Sequence, residues 1–255
     1  MSSHYSSSRS APPMITLFDV PRNTAHSWAP NIWRIRFILN YKRLRYRTQW
    51  VEFQDVNATL YKMNAPPTGQ SADGQPIYTL PVLVDPTRDP RRPTILSNPN
   101  IIAEYLESAY PARPVFPEGS RALQTLFVHY VQEVFSKPLL PIMIPMSYQQ
   151  LPPAMQSHFP GGAALSGPQK EHAWRAVKEQ FDFLAAILDK NTGDGDGDGV
   201  LAMGHELTYA DFALCAVLIW IERIAPHDGW SRIRTWNSGR WHRLYERCRD
   251  YMDEF

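Results

Sequence analysis

A small α/β domain followed by an all-helical domain is the architecture this sequence predicts. Three observations carry it. Strand-like and helix-like periods alternate over residues 15–110, strand signals stop after "YPARPVFPEGS", and the remainder repeats apolar residues at helical spacing. The 255 residues are enough for one large domain or two small ones.

Taken in order, "ITLFDV" (15–20) is a short strand and 30–42 a helix with Pro30 at its first position, where a missing N–H is harmless. "TQWVEF" (48–53) is a second strand and "VNATLYKM" (56–63) a short helix. "LPVLVD" (80–85) and "TIL" (94–96) are further strands around a turn rich in Pro and Arg. "PNIIAEYLESAY" (99–110) is a helix with Ile102, Leu106 and Tyr110 at i, i+4 and i+8. Right-handed crossovers turn this βαβ–ββα order into a small mixed sheet flanked by helices. Beyond the boundary at 111–119, residues 122–135 are helical, with Leu126, Tyr130 and Val134 four apart. A Pro-broken apolar stretch, "KPLLPIMIPMSYQQLPPAM", precedes three more helices over 168–191, 208–224 and 238–255. The expected division is a disordered tail over 1–14, an α/β domain over 15–113 and a helical domain over 119–255.

Composition narrows the function classes. Hydrophobic residues make up 44% and charged residues 20%, and a net charge of +1 gives no reason to expect nucleic acid or an anionic membrane as partner. Cys215 and Cys248 have no framework spacing, which predicts a reduced, cytoplasmic protein. No apolar run reaches the length of a membrane span. The tail "MSSHYSSSRSAPP" is Ser-rich and acid-poor, as transit peptides are, but shows no amphipathic pattern. Asp194, Asp196, Asp198 and Gly199 mimic a calcium loop, yet His205 stands where its bidentate Glu belongs, so the run is expected to be a solvated loop and no metal site is expected. His129 is a lone helical histidine with no assigned role.

Three local motifs stand out. The helix opening at Pro30 is by its dipole and free N–H groups an anion site, yet Ala29 before it brings no polar atom. Pro81 opens a strand in a central apolar run, a conflict that relaxes if Leu80–Pro81 is cis and Leu80's backbone is free to pair elsewhere; a trans edge strand is the alternative. Thr208 and Asp211 form a capping box ahead of an apolar helix, a folding device without chemistry.

The parts together resemble a glutathione transferase, with a thioredoxin-like first domain and a helical second one. "WAPNIWRIRFILNYKRLRYRTQWVEFQDV" is similar to the opening of fungal etherase-like transferases of the FuA type, and "GQPIYTLPVLVDP", "IIAEYLESAYP" and "LAMGHELTYADF" fit the same group. The likeness covers roughly residues 15–255. It implies glutathione as co-substrate, with the Leu80 backbone beside Pro81 holding the tripeptide's cysteine. A homodimer follows from it as well, the first domain of one chain packing on the early helices of the other's second domain.

The resemblance also exposes two departures. Relatives carry a serine at the position of Ala29, whose hydroxyl stabilises the thiolate. Making a thiol of pKa ~8.5 mostly ionised at neutral pH takes about two pH units, roughly 2.7 kcal/mol. One hydrogen bond to a charged acceptor supplies about 1.5–3 kcal/mol of that. The N–H groups of Asn31 and Ile32, the Ser27 hydroxyl and the Asn31 amide are the candidate substitutes, with ordinary loop and helix-start chemistry as the alternative for Ser27 and Asn31. At the third helix, Asn98 and Pro99 replace an acidic residue and a serine that offers hydroxyl and N–H to the γ-glutamyl carboxylate. Losing two such bonds weakens binding by roughly 10² to 10⁴; the N–H of Asn100 is the remaining donor at this corner. The likeness further places Phe127, Tyr130, Val131, Met143, Ile144, Met146 and Tyr148 in a hydrophobic acceptor pocket, with plain inter-helix core as the alternative.

The expected function is a glutathione transferase-like protein that conjugates or cleaves aromatic compounds, aryl ethers among them, with weakened glutathione binding and activation, in a detoxification role. The alternative is a non-catalytic, ligandin-type binder of aromatic or polyphenolic molecules. A structural or regulatory dimerisation module is the third reading. Expected partners are small hydrophobic or aromatic molecules, not nucleic acid or membrane.

Overall fold

The computed structural model describes residues 12–20, 26–151, 156, 164–194 and 199–255. Residues 1–11 of the expected tail, and Asp196 and Asp198 of the acidic run, lie outside them. A four-stranded sheet runs β2–β1–β5–β6, with β1 (Ile15–Asp19) parallel to β2 (Tyr46–Trp50) and antiparallel to β5 (Val82–Asp85), which pairs antiparallel with β6 (Thr94–Ser97). Alternation sorts the side chains between two faces. Ile15, Leu17 and Leu83 join the main core under α1 (Pro30–Tyr41) and α3 (Pro99–Ala109), while Phe18 and Val82 meet Leu60 of α2 (Val56–Lys62) on the other face. This is a thioredoxin-like half.

The helical half holds α4 (Arg121–Tyr130), α5 (Leu140–Gln149), α6 (Gly167–Leu188), α7 (Tyr209–Ile224) and α8 (Trp236–Cys248). Its centre is α7, buried along almost its whole length and packed against α1 of the first half. The capping box forms as expected: Asp211 Oδ2 accepts the Thr208 N–H at 2.9 Å and its hydroxyl at 2.8 Å, and Oδ1 accepts the Ala202 N–H at 2.7 Å. Cys215 and Cys248 are free and buried.

The chain ends by returning to the first half. Thr48 N–H donates to the Phe255 carbonyl at 2.9 Å, Asn40 Nδ2 to the carbonyls of Tyr251 and Asp253, and Glu254 accepts from Arg223 at 2.8 Å. Residues 253–255 strap the helical half across the edge strand β2.

Several sequence expectations shift. The second strand starts at Tyr46 and stops at Trp50, because its ladder partner β1 ends at Asp19; Phe53–Asp55 becomes a 3-10 turn. The third begins at Val82, leaving Leu80 and Pro81 outside the ladder. A hairpin of two-residue strands, β3 (Gly69–Gln70) and β4 (Pro76–Ile77), is added; it is exposed and so carries no apolar alternation to read. The helix expected over 122–135 loosens into a π turn at Val131–Phe135, and Leu126 and Val134 of its expected apolar row face solvent while Val128 and Val131 are buried. The Pro-broken stretch is mostly α5, with Pro145 inside it.

Candidate functional site

The site begins where β1 stops. Asp19, fully buried, accepts from Arg36 Nη2 at 2.9 Å and from the Ser27 hydroxyl at 2.7 Å. Burial pushes its carboxyl up from the ordinary range, against the pull of Arg36 and the Ser27 hydroxyl. Ser27 is fastened at every polar atom. Its carbonyl takes Trp33 Nε1 at 2.8 Å and Arg223 Nη1, and its N–H goes to Glu254 Oε2 at 3.2 Å. The expectation that Ser27 stands in for the missing serine is therefore corrected, since its proton is committed to Asp19 and it is buried.

The loop delivers Ala29 in extended conformation to the start of α1, with no side-chain cap. Its carbonyl accepts from both Ile32 N–H and Trp33 N–H at 3.1 Å. The Ile32 N–H, a candidate thiolate donor by sequence, is thus spent in the first turn. Pro30 has none. Of the two N–H groups in that turn, Asn31's remains without a backbone acceptor, beside the Ala29 N–H before it. The Asn31 side chain is exposed, and its Oδ1 accepts from Arg34 Nη1 at 3.3 Å.

Two clefts flank the mouth. The first, of about 370 Å³, is lined by Trp28, Ala29, Ile32, Phe53, Tyr78 and Leu80 among others. The Leu80–Pro81 bond is cis, and the Leu80 backbone has no ladder partner among the described residues. This cleft brings Ala29 and Leu80 together, as the sequence proposed. The second, of about 350 Å³, lies between α1, the π turn, α5 and α7, and takes in Asn31, Arg34, Val131, Ile144 and Trp220.

At the start of α3, Asn98 has a positive φ of 73°, and its Oδ1 caps the Asn100 N–H at 2.9 Å. That N–H, the donor expected to remain for a carboxylate, is thereby occupied. The Asn100 side chain turns inward, where its Oδ1 accepts from Arg34 Nη2 and from the Tyr209 hydroxyl at 2.9 Å. Pro99 fits the first helical position and offers no donor.

Of the seven acceptor-pocket candidates, Val131 and Ile144 line the second cleft. Met143 is fully buried core, and Met146 faces a separate small hollow beside Leu165 and Lys170. Phe127 and Tyr130 pack half-buried against the core, Tyr130 near Phe135 and Phe183, and Tyr148 is half-buried away from both clefts. Helical periodicity explains the sorting: Leu140 and Ile144, four apart, share the cleft face of α5, and Ile142, Met143 and Ser147 face inward. Sequence reasoning missed Arg34, which repeats Pro30 at i+4, and Ala213, Val217 and Trp220, hidden in a helix that is apolar throughout. Among the described residues no group of metal-ligating side chains gathers, and no helix is long and apolar enough to cross a membrane.

A thioredoxin-like half with a cis-proline facing a helix mouth, backed by a helical half, defines a class, and comparison with known proteins agrees. Family models described as the glutathione S-transferase N-terminal domain and C-terminal domain match residues 28–109 and 122–251. The chain belongs to the glutathione transferase superfamily. It is similar to glutathione transferase GSTFuA3 from Phanerochaete chrysosporium, at 32% identity and a TM-score of 0.84 over 96% of this chain and 99% of that one. Glutathione S-transferase CsGST63524 of Ceriporiopsis subvermispora, solved in complex with glutathione, is 31% identical with a TM-score of 0.83 over 94% and 98%. Glutathione S-transferase-like protein ustS of Aspergillus flavus is 25% identical over 251 residues, 93% of this chain and 89% of that protein.

Proposed function

We propose that this protein is a cytoplasmic, homodimeric glutathione transferase-like enzyme that joins glutathione to aromatic acceptors or cleaves aryl ethers with it, and that it holds and activates glutathione weakly. The observation that carries the reading is the helix mouth: Ala29 and the free Leu80 backbone share one cleft at the N-terminus of α1, where a thiolate gains from the dipole and the Asn31 N–H. Relatives solved with glutathione bound support the co-substrate.

The rest of the mouth supports weak activation. The Ser27 hydroxyl is spent on Asp19, and the corner at Asn98–Pro99 has used its first N–H internally. These same features favour a second reading, a ligandin-type binder of aromatic or polyphenolic molecules with little turnover.

Ala29→Ser tests the enzyme reading. Calorimetry and conjugation of a chlorodinitrobenzene are expected to show weak binding and slow turnover for the natural chain. The variant gains roughly tenfold or more in turnover at neutral pH, the worth of about 1.5–3 kcal/mol from one hydrogen bond to a thiolate, with binding almost unchanged. No gain in Ala29→Ser, with aromatic ligands still bound, assigns the chain to the binder reading. Micromolar glutathione binding with brisk turnover in the natural chain overturns the weak-activation reading.

A further inference from the structure

Buried basic side chains need a counter-charge, because a cation removed from water loses its solvation. Four Lys and Arg residues are buried here among the described residues, and three obey. Arg36 pairs with Asp19, Lys42 with Glu107 at 2.7 Å, and Arg240 with Asp189. Arg34 does not. It is 2% exposed, and no described carboxylate lies within 4 Å of its guanidinium.

The partners it has are neutral. Nη1 donates to Asn31 Oδ1 at 3.3 Å, and Nη2 donates to Asn100 Oδ1 and to the Tyr209 hydroxyl. Burial holds the Tyr209 hydroxyl above its usual range despite Arg34, so it stays protonated at neutral pH and supplies no charge. A guanidinium has five N–H groups. Nε has no partner, and one Nη1 hydrogen is also unspent.

This unneutralised cation lines the second cleft. Val131, Leu140, Ile144, Ala213, Val217 and Trp220 give it apolar walls, with Asn31, Gln132 and Ser136 as neutral polar lining. The one acidic lining residue, Glu133, is exposed at the rim, where water solvates it. The arrangement is a hydrophobic slot with a single buried positive end.

We propose that the second cleft binds an aromatic or other apolar monocarboxylate, its acid group seated on Arg34 and its apolar body against Val217 and Trp220. The proposal deepens the acceptor-side reading of this cleft and rests on it. The unspent Nη1 hydrogen offers a carboxylate a charge-assisted bond that a neutral isostere cannot match, and the nearby charge of the guanidinium adds to it. A second acid group on the ligand meets Glu133, which selects against dianions.

The test is calorimetric, without glutathione, comparing 2-naphthoate with 2-naphthamide on the full chain at neutral pH. The acid is expected to bind about tenfold or more tighter than the amide. Arg34→Met is expected to erase that preference. Because Arg34 also braces Asn100 and Tyr209, Gln132→Glu gives an independent reading: it adds negative charge to the lining without touching those bonds, and is expected to weaken the acid several-fold and leave the amide unchanged. Equal affinity for acid and amide, a preference that survives Arg34→Met in a folded protein, or no binding of either probe at millimolar concentration overturns the proposal. Acid preference in a chain that fails to conjugate glutathione removes the transferase reading and keeps this one; conjugation of neutral acceptors without acid preference does the reverse.

Discussion

Asn98 and Pro99 show how a residue can be ideal for folding and poor for a ligand. Asn98 caps α3 with its own oxygen, and Pro99 is preset for the first turn. Both choices consume or delete donors that a carboxylate would use. Asn98→Asp with Pro99→Ser is therefore expected to tighten glutathione binding roughly 10-fold or more, with little change in thiol pKa, by calorimetry and a pH profile of conjugation. Asp211 carries the opposite emphasis, folding only. Complete burial pushes its carboxyl from 3.8 to about 6, partly offset by the N–H groups of Ala202 and Thr208 and the Thr208 hydroxyl. The folded chain thus holds this proton to higher pH than the unfolded chain does. Its contribution is fully present below pH 3.8 and is lost as pH rises through about 6. It amounts to about 3 kcal/mol. Urea midpoints are expected to rise as pH falls from 7 to 5, and this rise should shrink in Asp211→Asn, which is less stable throughout because its amide nitrogen cannot accept the two bonds Oδ2 takes from Thr208.

At the scale of elements, the mouth of α1 is held by a buried pair beneath it. Asp19→Ala strands Arg36 in the core and frees the Ser27 hydroxyl, and is expected to cost about 3–5 kcal/mol in denaturant unfolding. The long periodic elements were legible in the sequence because one face of each is buried and the other is not. The edges were less so. β2 ends where β1 stops supplying partners, and the π turn after α4 leaves no mark on the apolar spacing. The site divides the same way. Ala29, Leu80–Pro81 and Asn98–Pro99 were readable since each is a local motif whose residue types dictate its hydrogen bonding. That Asn100 points inward and that Arg34 lacks an acid depend on partners more than sixty residues away or on the absence of one, and that Ser27 is spent depends on a buried fold that brings Asp19 under it. Spacing does not encode those.

For the whole molecule, the proposed homodimer is testable at exposed apolar side chains of α3 and α4. Ile101 of α3 and Leu123 and Leu126 of α4 are 54%, 65% and 65% exposed. The proposed homodimer would cover them. Light scattering is expected to give about twice 29.3 kDa at micromolar concentration, and Leu126→Glu to move the mass toward the single chain. A mass near 29.3 kDa throughout for the natural chain contradicts the dimer.

The strap at residues 253–255 ties the two halves into one cooperative unit. Glu254 grips Arg223 of α7 and the Ser27 N–H of the loop that carries the helix mouth, and the Phe255 carbonyl closes on Thr48 of the edge strand. The α/β half cannot open without releasing bonds anchored in the helical half, and α1 would leave the apolar flank of α7 bare. The halves are therefore expected to melt together as a single transition in calorimetry, and neither is expected to be autonomous when cut apart at the connecting segment. The mouth of α1 is thus braced by residues more than two hundred positions away in the chain.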